Sequence, residues 1–174
     1  MKDNKFFKHS WVKEIRKKMA DVKTLIDLIG NTPIVQVKNM DTGPCNLFLK
    51  MEGMNPGSSI KDRVALNIIE TAEREGKLKP GYTIIEASAG NTAMGLALIG
   101  KLKGYKAKVV ILDKMNANKI FHLRAIGAEV IMTRSDVGPG HPEHYITMAK
   151  RIADETPNSF FASQFTNLSN PRAH

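Results

Sequence analysis

A lysine near the start of a predicted helix is the first residue in this sequence that could do covalent chemistry. Lys61 lies in NPGSSIKDR, residues 55 to 63, where Ser59 and Asp62 have the spacing of a capping box, with Asp in place of Glu or Gln. This spacing predicts that Lys61 lies in the first helical turn, where the positive dipole end and any burial favour its neutral amine. A neutral amine is a nucleophile, as a Schiff base with an aldehyde cofactor requires. The alternative is a solvated surface lysine beside Asp62 and Arg63.

A loop of small and polar residues is the second feature with chemical potential. It follows a predicted strand and precedes a predicted helix, and it consists of Ser88, Ala89, Gly90, Asn91 and Thr92. Small residues let an anion approach the backbone, and the helix that follows supplies free N–H groups, so the loop is a candidate carboxylate or phosphate cradle. The alternative is a tight turn in which Asn91 or Thr92 caps the helix. The loop is neither a G-x-G-x-x-G dinucleotide motif nor a P-loop.

The elements around these two features alternate between strand and helix. The periodicity predicts strands over 34–37, 47–50, 83–86, 107–112, 128–132 and 160–163, and helices over 92–103, 118–126 and 145–153, besides the helix that contains Lys61 and is stopped by Gly76. Strands joined by single helices need right-handed crossovers and form a parallel sheet that is covered on both faces. The helix over 92–103 is apolar nearly all round, which predicts that it is buried. We therefore expect a doubly wound α/β unit.

Charge and composition narrow the classes of partner. The 174 residues carry a net charge of +9, but residues 1–24 hold eight basic and three acidic residues, a net of +5, in a segment whose apolar spacing predicts an amphipathic helix. Because the charge is concentrated in this basic leader, we expect neither nucleic acid nor a membrane as a partner. A single cysteine and the lack of a signal sequence favour the cytoplasm. His141 and His144 have no further ligand nearby, so we expect no metal site.

Several motifs in order resemble one enzyme family. NPGSSIKDR is followed by IEASAGNT at residues 85–92, preceded by IGNTPI at residues 29–34, and followed by Gln164-Phe165. This arrangement resembles the cysteine synthase and cystathionine β-synthase group of fold type II pyridoxal-phosphate enzymes, whose fold is of the tryptophan synthase β-like kind. The resemblance spans roughly residues 25–174.

The resemblance implies a cofactor, a reaction and roles for residues. Lys61 would form the Schiff base with pyridoxal 5'-phosphate and then serve as general acid and base, and Asn91 would bind the hydroxyl oxygen of the cofactor ring. The loop of Ser88, Ala89, Gly90, Asn91 and Thr92, together with Gln164, would hold the substrate carboxylate. The implied reaction is a β-replacement on serine or O-acetylserine by sulfide or a thiol, in a homodimer.

The resemblance also implies a division of the chain. Residues 25–60 would belong to a large domain, residues 61–165 would form a small mobile α/β domain, and residues 166–174 would return towards the large domain. The family's glycine-rich phosphate loop has no counterpart here, so we expect the N-terminal half of a longer enzyme, inactive as this 174-residue piece alone.

Two departures from the family pattern concern the substrate. The family's loop reads Thr-Ser-Gly-Asn-Thr-Gly, and here Ala89 lacks one hydroxyl, while Leu112 stands where proline is common. The open alternatives are cystathionine β-synthase acting with homocysteine, a serine or threonine dehydratase, an inactive regulatory homologue, and a nucleic-acid-binding module that uses the basic leader.

Overall fold

The computed structural model describes residues 24–88 and 90–174. Almost all of the basic leader with its predicted helix, and Ala89 of the predicted cradle, lie outside the described residues. None of the described helices is both long enough and apolar enough to cross a membrane.

The predicted α/β alternation is confirmed. Four parallel strands form one sheet in the order β5-β4-β3-β6, and a separate antiparallel pair of strands precedes them. The strands are β1 (Ile34–Gln36), β2 (Phe48–Lys50), β3 (Thr83–Ala87), β4 (Lys106–Leu112), β5 (Glu129–Thr133) and β6 (Ser159–Phe161). The helices are α1 (Lys61–Arg74), α2 (Asn91–Leu102), α3 (Ala117–Ile126) and α4 (Tyr145–Glu155).

The parallel sheet is covered on both faces, as the doubly wound fold predicts. Ile84 of β3 packs with α1 and α2, and Val109 of β4 packs with α2 and α3. On the opposite face, Ile85 and Val110 pack against α4. Side chains alternate along a strand, so neighbouring residues of β3 and β4 serve opposite layers.

Helix α2 is the buried helix that its apolar sequence predicts. Seven of its residues are buried, among them Ala93, Leu96, Ala97 and Ile99, which have less than about a tenth of their surface exposed. Helix α2 packs between α1 and α3 on one face of the sheet. This packing holds the N-terminus of α2 next to the start of α1.

The end of β6 differs from the sequence prediction. The predicted strand over 160–163 includes Ser163, but Ser163 has φ +48° and lies beyond the strand. A left-handed residue cannot continue an extended ladder, so the chain turns away from β3 at this point. This turn places the next residue, Gln164, beside the carboxyl end of the sheet.

Candidate functional site

The described residues of the predicted site lie together at the carboxyl ends of the parallel strands. A cleft of about 400 Å³ opens between the first residues of α1, the first residues of α2 and the segment after β6. It is lined by the predicted residues Lys61, Ser88, Gly90, Asn91, Thr92 and Gln164. In open parallel sheets, ligands bind at this edge.

Lys61 is the first residue of α1, as predicted, but the predicted capping box is wrong. Ile60 occupies the N-cap, and the Ser59 hydroxyl oxygen accepts from the Lys61 N–H at 3.1 Å. The Asp62 carboxylate does not reach back to Ser59, because it accepts from the Gly57 N–H instead. The turn before the helix is therefore stabilised by the carboxylate of Asp62, which is fully buried.

Gly57 makes this approach of Asp62 possible. A Cβ atom at residue 57 would lie 2.4 Å from Asp62 Oδ1. Burial raises the pKa of the Asp62 carboxyl, and its Oδ1 is the one buried side-chain polar atom without a hydrogen-bond partner in residues 24–88 and 90–174. The turn that delivers Lys61 is thus built around a buried carboxyl group.

The close approach of α1 and α2 sets the distance between Lys61 and the loop. A Cβ at Gly95 of α2 would lie 3.0 Å from the Lys61 carbonyl oxygen and 3.0 Å from Ala65 Cβ. Only glycine permits the two helices to be this close at this point. The packing of α2 therefore fixes the backbone of Lys61 against the start of the predicted cradle.

No side chain among residues 24–88 and 90–174 caps the N-terminus of α2, at which the predicted cradle ends. Ser88 is buried, and its hydroxyl oxygen accepts from the Gly90 N–H at 3.3 Å. Gly90 is the N-cap of α2 and the helix begins at Asn91, so the alternative in which Asn91 or Thr92 caps the helix is wrong. The first N–H groups of a helix have no intrahelical acceptor, and no described side chain caps those of α2, whose first residues line the cleft.

Gln164, which follows β6 in the chain, lines the same cleft as the start of α2. It is buried, its N–H donates to Glu86 Oε2 at 3.1 Å, and its side-chain amide donates to the Ala87 carbonyl at 3.4 Å. Glu86 was given no role by the sequence reasoning. A carboxylate that follows the apolar pair Ile84-Ile85 at the end of a predicted strand, two residues before Ser88, is the signal that could have identified it.

An ion-pair network of Arg63, Glu52 and Thr32 stabilises the start of α1. Arg63 donates to both oxygens of Glu52 at 2.8 and 2.9 Å, and Thr32 donates to Glu52 Oε1 at 2.7 Å. The Arg63 and Thr32 hydrogen bonds lower the pKa of the Glu52 carboxyl to about 2. The network ties Thr32 and Glu52 to α1 at Arg63, two residues after Lys61.

The rest of the cleft wall is mostly apolar. Ile60, Leu112, Tyr145 and Phe165 line it, and none of them was singled out as a site residue from the sequence. These residues come from four separate segments, so no local pattern brings them together. The cleft thus combines a few polar groups with apolar side chains, as is typical of small-molecule sites.

Comparison with known proteins gives the family. A family model described as pyridoxal-phosphate dependent enzyme matches residues 25–174. The chain is 45% identical over 149 residues to the cystathionine beta-synthase of Mus musculus, with 84% of this chain and 27% of that protein covered. It is 43% identical over 155 residues to a probable cysteine synthase of Bacillus subtilis, with 88% of this chain and 49% of that protein covered.

Solved structures agree with the fold. A hydrogen sulfide-producing enzyme from Fusobacterium nucleatum has a TM-score of 0.80 at 43% identity, with 88% of this chain and 49% of that chain covered. An O-ureido-L-serine synthase has a TM-score of 0.81 at 33% identity, with 88% and 47% covered. The chain thus spans from about a quarter to about half the length of these relatives. Because the family model matches most of its residues, the chain belongs to the pyridoxal-phosphate-dependent enzyme family, as its lysine and loop motifs predict.

Proposed function

We propose that this protein catalyses a β-replacement on serine or O-acetylserine by a sulfur nucleophile, in the manner of a cysteine synthase. The observation that carries the proposal is the shared cleft, in which the Lys61 amine and the uncapped start of α2 face the same space. Relatives named cysteine synthase and cystathionine beta-synthase support the same class of reaction.

The residues in the cleft fit the cofactor of the family. Lys61 offers a primary amine at the first position of a helix, which would hold the aldehyde group of the cofactor. Asn91 is exposed at the start of α2 and would bind the ring hydroxyl oxygen. When bound, pyridoxal 5'-phosphate supplies the electron sink for carbanion chemistry.

The chain's own residues have separate tasks in this proposal. Lys61 Nζ would take the α-proton of the amino acid and later return it, because Lys61 lines the cleft. The donors of the loop, with Ser88, Gly90 and Thr92, and the amide of Gln164 hold the substrate carboxylate. The apolar side chains that line the cleft, Ile60, Leu112, Tyr145 and Phe165, exclude water from the reacting carbon.

Covalent labelling tests the assignment of Lys61. The full-length protein supplied with pyridoxal 5'-phosphate is reduced with borohydride, and the modified peptide is identified by mass spectrometry. We expect the adduct on Lys61 and its loss in Lys61→Ala. Lys150→Ala, an exposed lysine on α4, is the matched control and should label like the wild type. Labelling that is unchanged by Lys61→Ala would overturn the proposal, and a wild type that takes up no cofactor would favour the inactive homologue.

The acceptor is decided by product analysis. Cysteine formed from O-acetylserine and sulfide supports the proposed activity, whereas cystathionine formed only with homocysteine supports the alternative that the Mus musculus relative suggests. A keto acid released without any sulfur acceptor would identify a dehydratase. We further propose a homodimer, which sedimentation of the full-length protein tests.

A further inference from the structure

Strands β3 and β6 stop pairing at the edge of the cleft. Their ladder runs from Thr83 with Ser159 to Ile85 with Phe161, and its last bond joins the Ala162 N–H to the Ile85 carbonyl at 2.9 Å. The left-handed Ser163 then turns the chain away. Beyond this point the described residues of the two segments form no direct backbone pairing, although both segments lead into the proposed carboxylate site.

The Glu86 side chain fills the gap where the ladder ends. It is 1% exposed, its Oε1 accepts from the Ala87 N–H at 2.9 Å, and its Oε2 accepts from the Gln164 N–H at 3.1 Å. One carboxylate therefore supplies acceptors to the two backbones that have just separated. It replaces the backbone acceptors that a continued ladder would have provided.

Three hydrogen bonds hold Gln164 in place, one of them to Glu86. Its N–H is bound by Glu86, its carbonyl accepts from the Asn170 side-chain amide at 2.9 Å, and its own amide donates to the Ala87 carbonyl at 3.4 Å. With the backbone fixed on both sides, the side-chain amide has little freedom to leave the cleft. Its second side-chain N–H has no acceptor among the described residues, so it can bind a ligand.

A buried carboxylate in this position is costly for stability. Burial raises the pKa of the Glu86 carboxyl to about 7, against hydrogen bonds from Gln164 and Ala87 that lower it. Taking such a group out of water is unfavourable unless its oxygens are well satisfied. An apolar side chain would avoid the cost of burial, but it could not hold the two N–H groups.

We propose that Glu86 is a positioning residue for carboxylate recognition, because it clamps Gln164 to the start of the Ser88–Thr92 loop across the open end of the β3–β6 ladder. The inference rests on the proposed function, in which Gln164 and the loop hold the substrate carboxylate. Glu86 itself does not touch the substrate.

Amide hydrogen exchange tests the clamp without cofactor or activity. Above about pH 7 the Glu86 carboxyl is ionised and both oxygens accept, whereas in full-length Glu86→Gln only the side-chain carbonyl accepts, so one of the two N–H groups loses its partner. We expect exchange at Ala87 or Gln164, and in peptides covering 88–92, to rise by about tenfold, with no change in β5. Glu129→Gln, whose carboxylate is 58% exposed and pairs with Lys108, is the matched control. Unchanged exchange around the cleft would overturn the clamp.

Ligand discrimination tests what the clamp is for. Binding of L-serine and of L-serinamide, which lacks the carboxylate, is followed by the visible absorption of the cofactor-loaded full-length protein. We expect Glu86→Gln to weaken serine binding by about tenfold and serinamide binding by much less. In a Gln164→Ala background, Glu86→Gln should have little further effect on serine.

The outcomes separate the two proposals. A wild type that binds neither probe contradicts the proposed function, whatever the exchange experiment gives. A wild type that prefers serine, combined with equal losses for both probes in Glu86→Gln, contradicts the positioning role. If Glu86→Gln fails to fold, Glu86→Asp keeps the charge but shortens the reach, and the same loss of discrimination is expected.

Discussion

Replacing Gly95 by alanine tests whether the contact between α1 and α2 sets the position of Lys61. The new methyl group would lie 3.0 Å from the Lys61 carbonyl oxygen and 3.0 Å from Ala65 Cβ, whereas ordinary contacts begin at 3.4 Å. The start of α1 must therefore move by about 0.4 Å or more. Backbone of one helix lies against backbone of the other at this site, so no flexible side chain can absorb the movement.

Two opposing free energies decide the stability of Gly95→Ala. Alanine in a helix interior is favoured over glycine by about 1 kcal/mol, while overpacking typically costs about 1 to 3 kcal/mol. We therefore expect a net loss of about 0 to 2 kcal/mol in the free energy of unfolding, measured by urea denaturation. Because the displaced atom belongs to Lys61, borohydride-trapped labelling of this residue should slow several-fold even where stability is nearly kept.

Gly100→Ala on the same helix is the matched control. Its Cβ would meet Ile84 Cδ1 at 3.1 Å, which is the far end of a flexible side chain, and Tyr105 Cβ at 3.8 Å. This variant should keep the gain in helix propensity and leave the labelling of Lys61 unchanged. If Gly95→Ala matches Gly100→Ala in both stability and labelling, the packing of the helices does not position the lysine.

Three further predictions concern pH and stability. Because hydrogen bonds from Arg63 lower the pKa of Glu52 from 4.5 to about 2, the stabilisation is present above pH 4.5 and lost as the pH falls towards 2. Glu52→Gln should cost about 1 to 3 kcal/mol at pH 7 in chemical denaturation, with a difference that vanishes near pH 2; a constant difference would contradict this. Burial raises the pKa of Glu86 from 4.5 to about 7, so the folded state holds a proton that the unfolded state releases, and stability falls as the pH rises between these values. Relative to Glu86→Gln, the wild type should lose up to about 3 kcal/mol between pH 4.5 and pH 7, and parallel pH profiles would refute the burial argument. Tyr105→Phe removes a 2.8 Å hydrogen bond to Glu73 Oε1 and should cost about 1 kcal/mol without changing the labelling of Lys61.

Local patterns in the sequence predicted the elements and their order. The strand-helix alternation, the buried α2 and the stop of α1 before Gly76 all depend on periodicity and on residues that are close in the chain. The same holds for Lys61 at the first position of α1 and for the small residues before α2. Parallel strands bring such loops to one edge of a sheet, so the shared location also followed from the pattern.

The partners of individual side chains were not predictable in the same way. Asp62 and Ser59 have capping spacing, yet Asp62 turns to the Gly57 N–H, because the turn before α1 folds over its buried carboxyl group. The spacing of residues fixes which groups could meet, and competition between nearby donors decides which of them do.

The sequence by itself determined the family, the α/β alternation and the lysine and loop that its motifs carry. Only the tertiary structure decided how firmly these parts are held, through Glu86 bound to Gln164, 78 positions away, and Gly95 packed on the Lys61 backbone. Both contacts join segments that are distant in the chain, and they depend on side-chain direction and on distances of a few tenths of an ångström. Periodicity and spacing encode neither of these, because they describe only neighbours along the sequence.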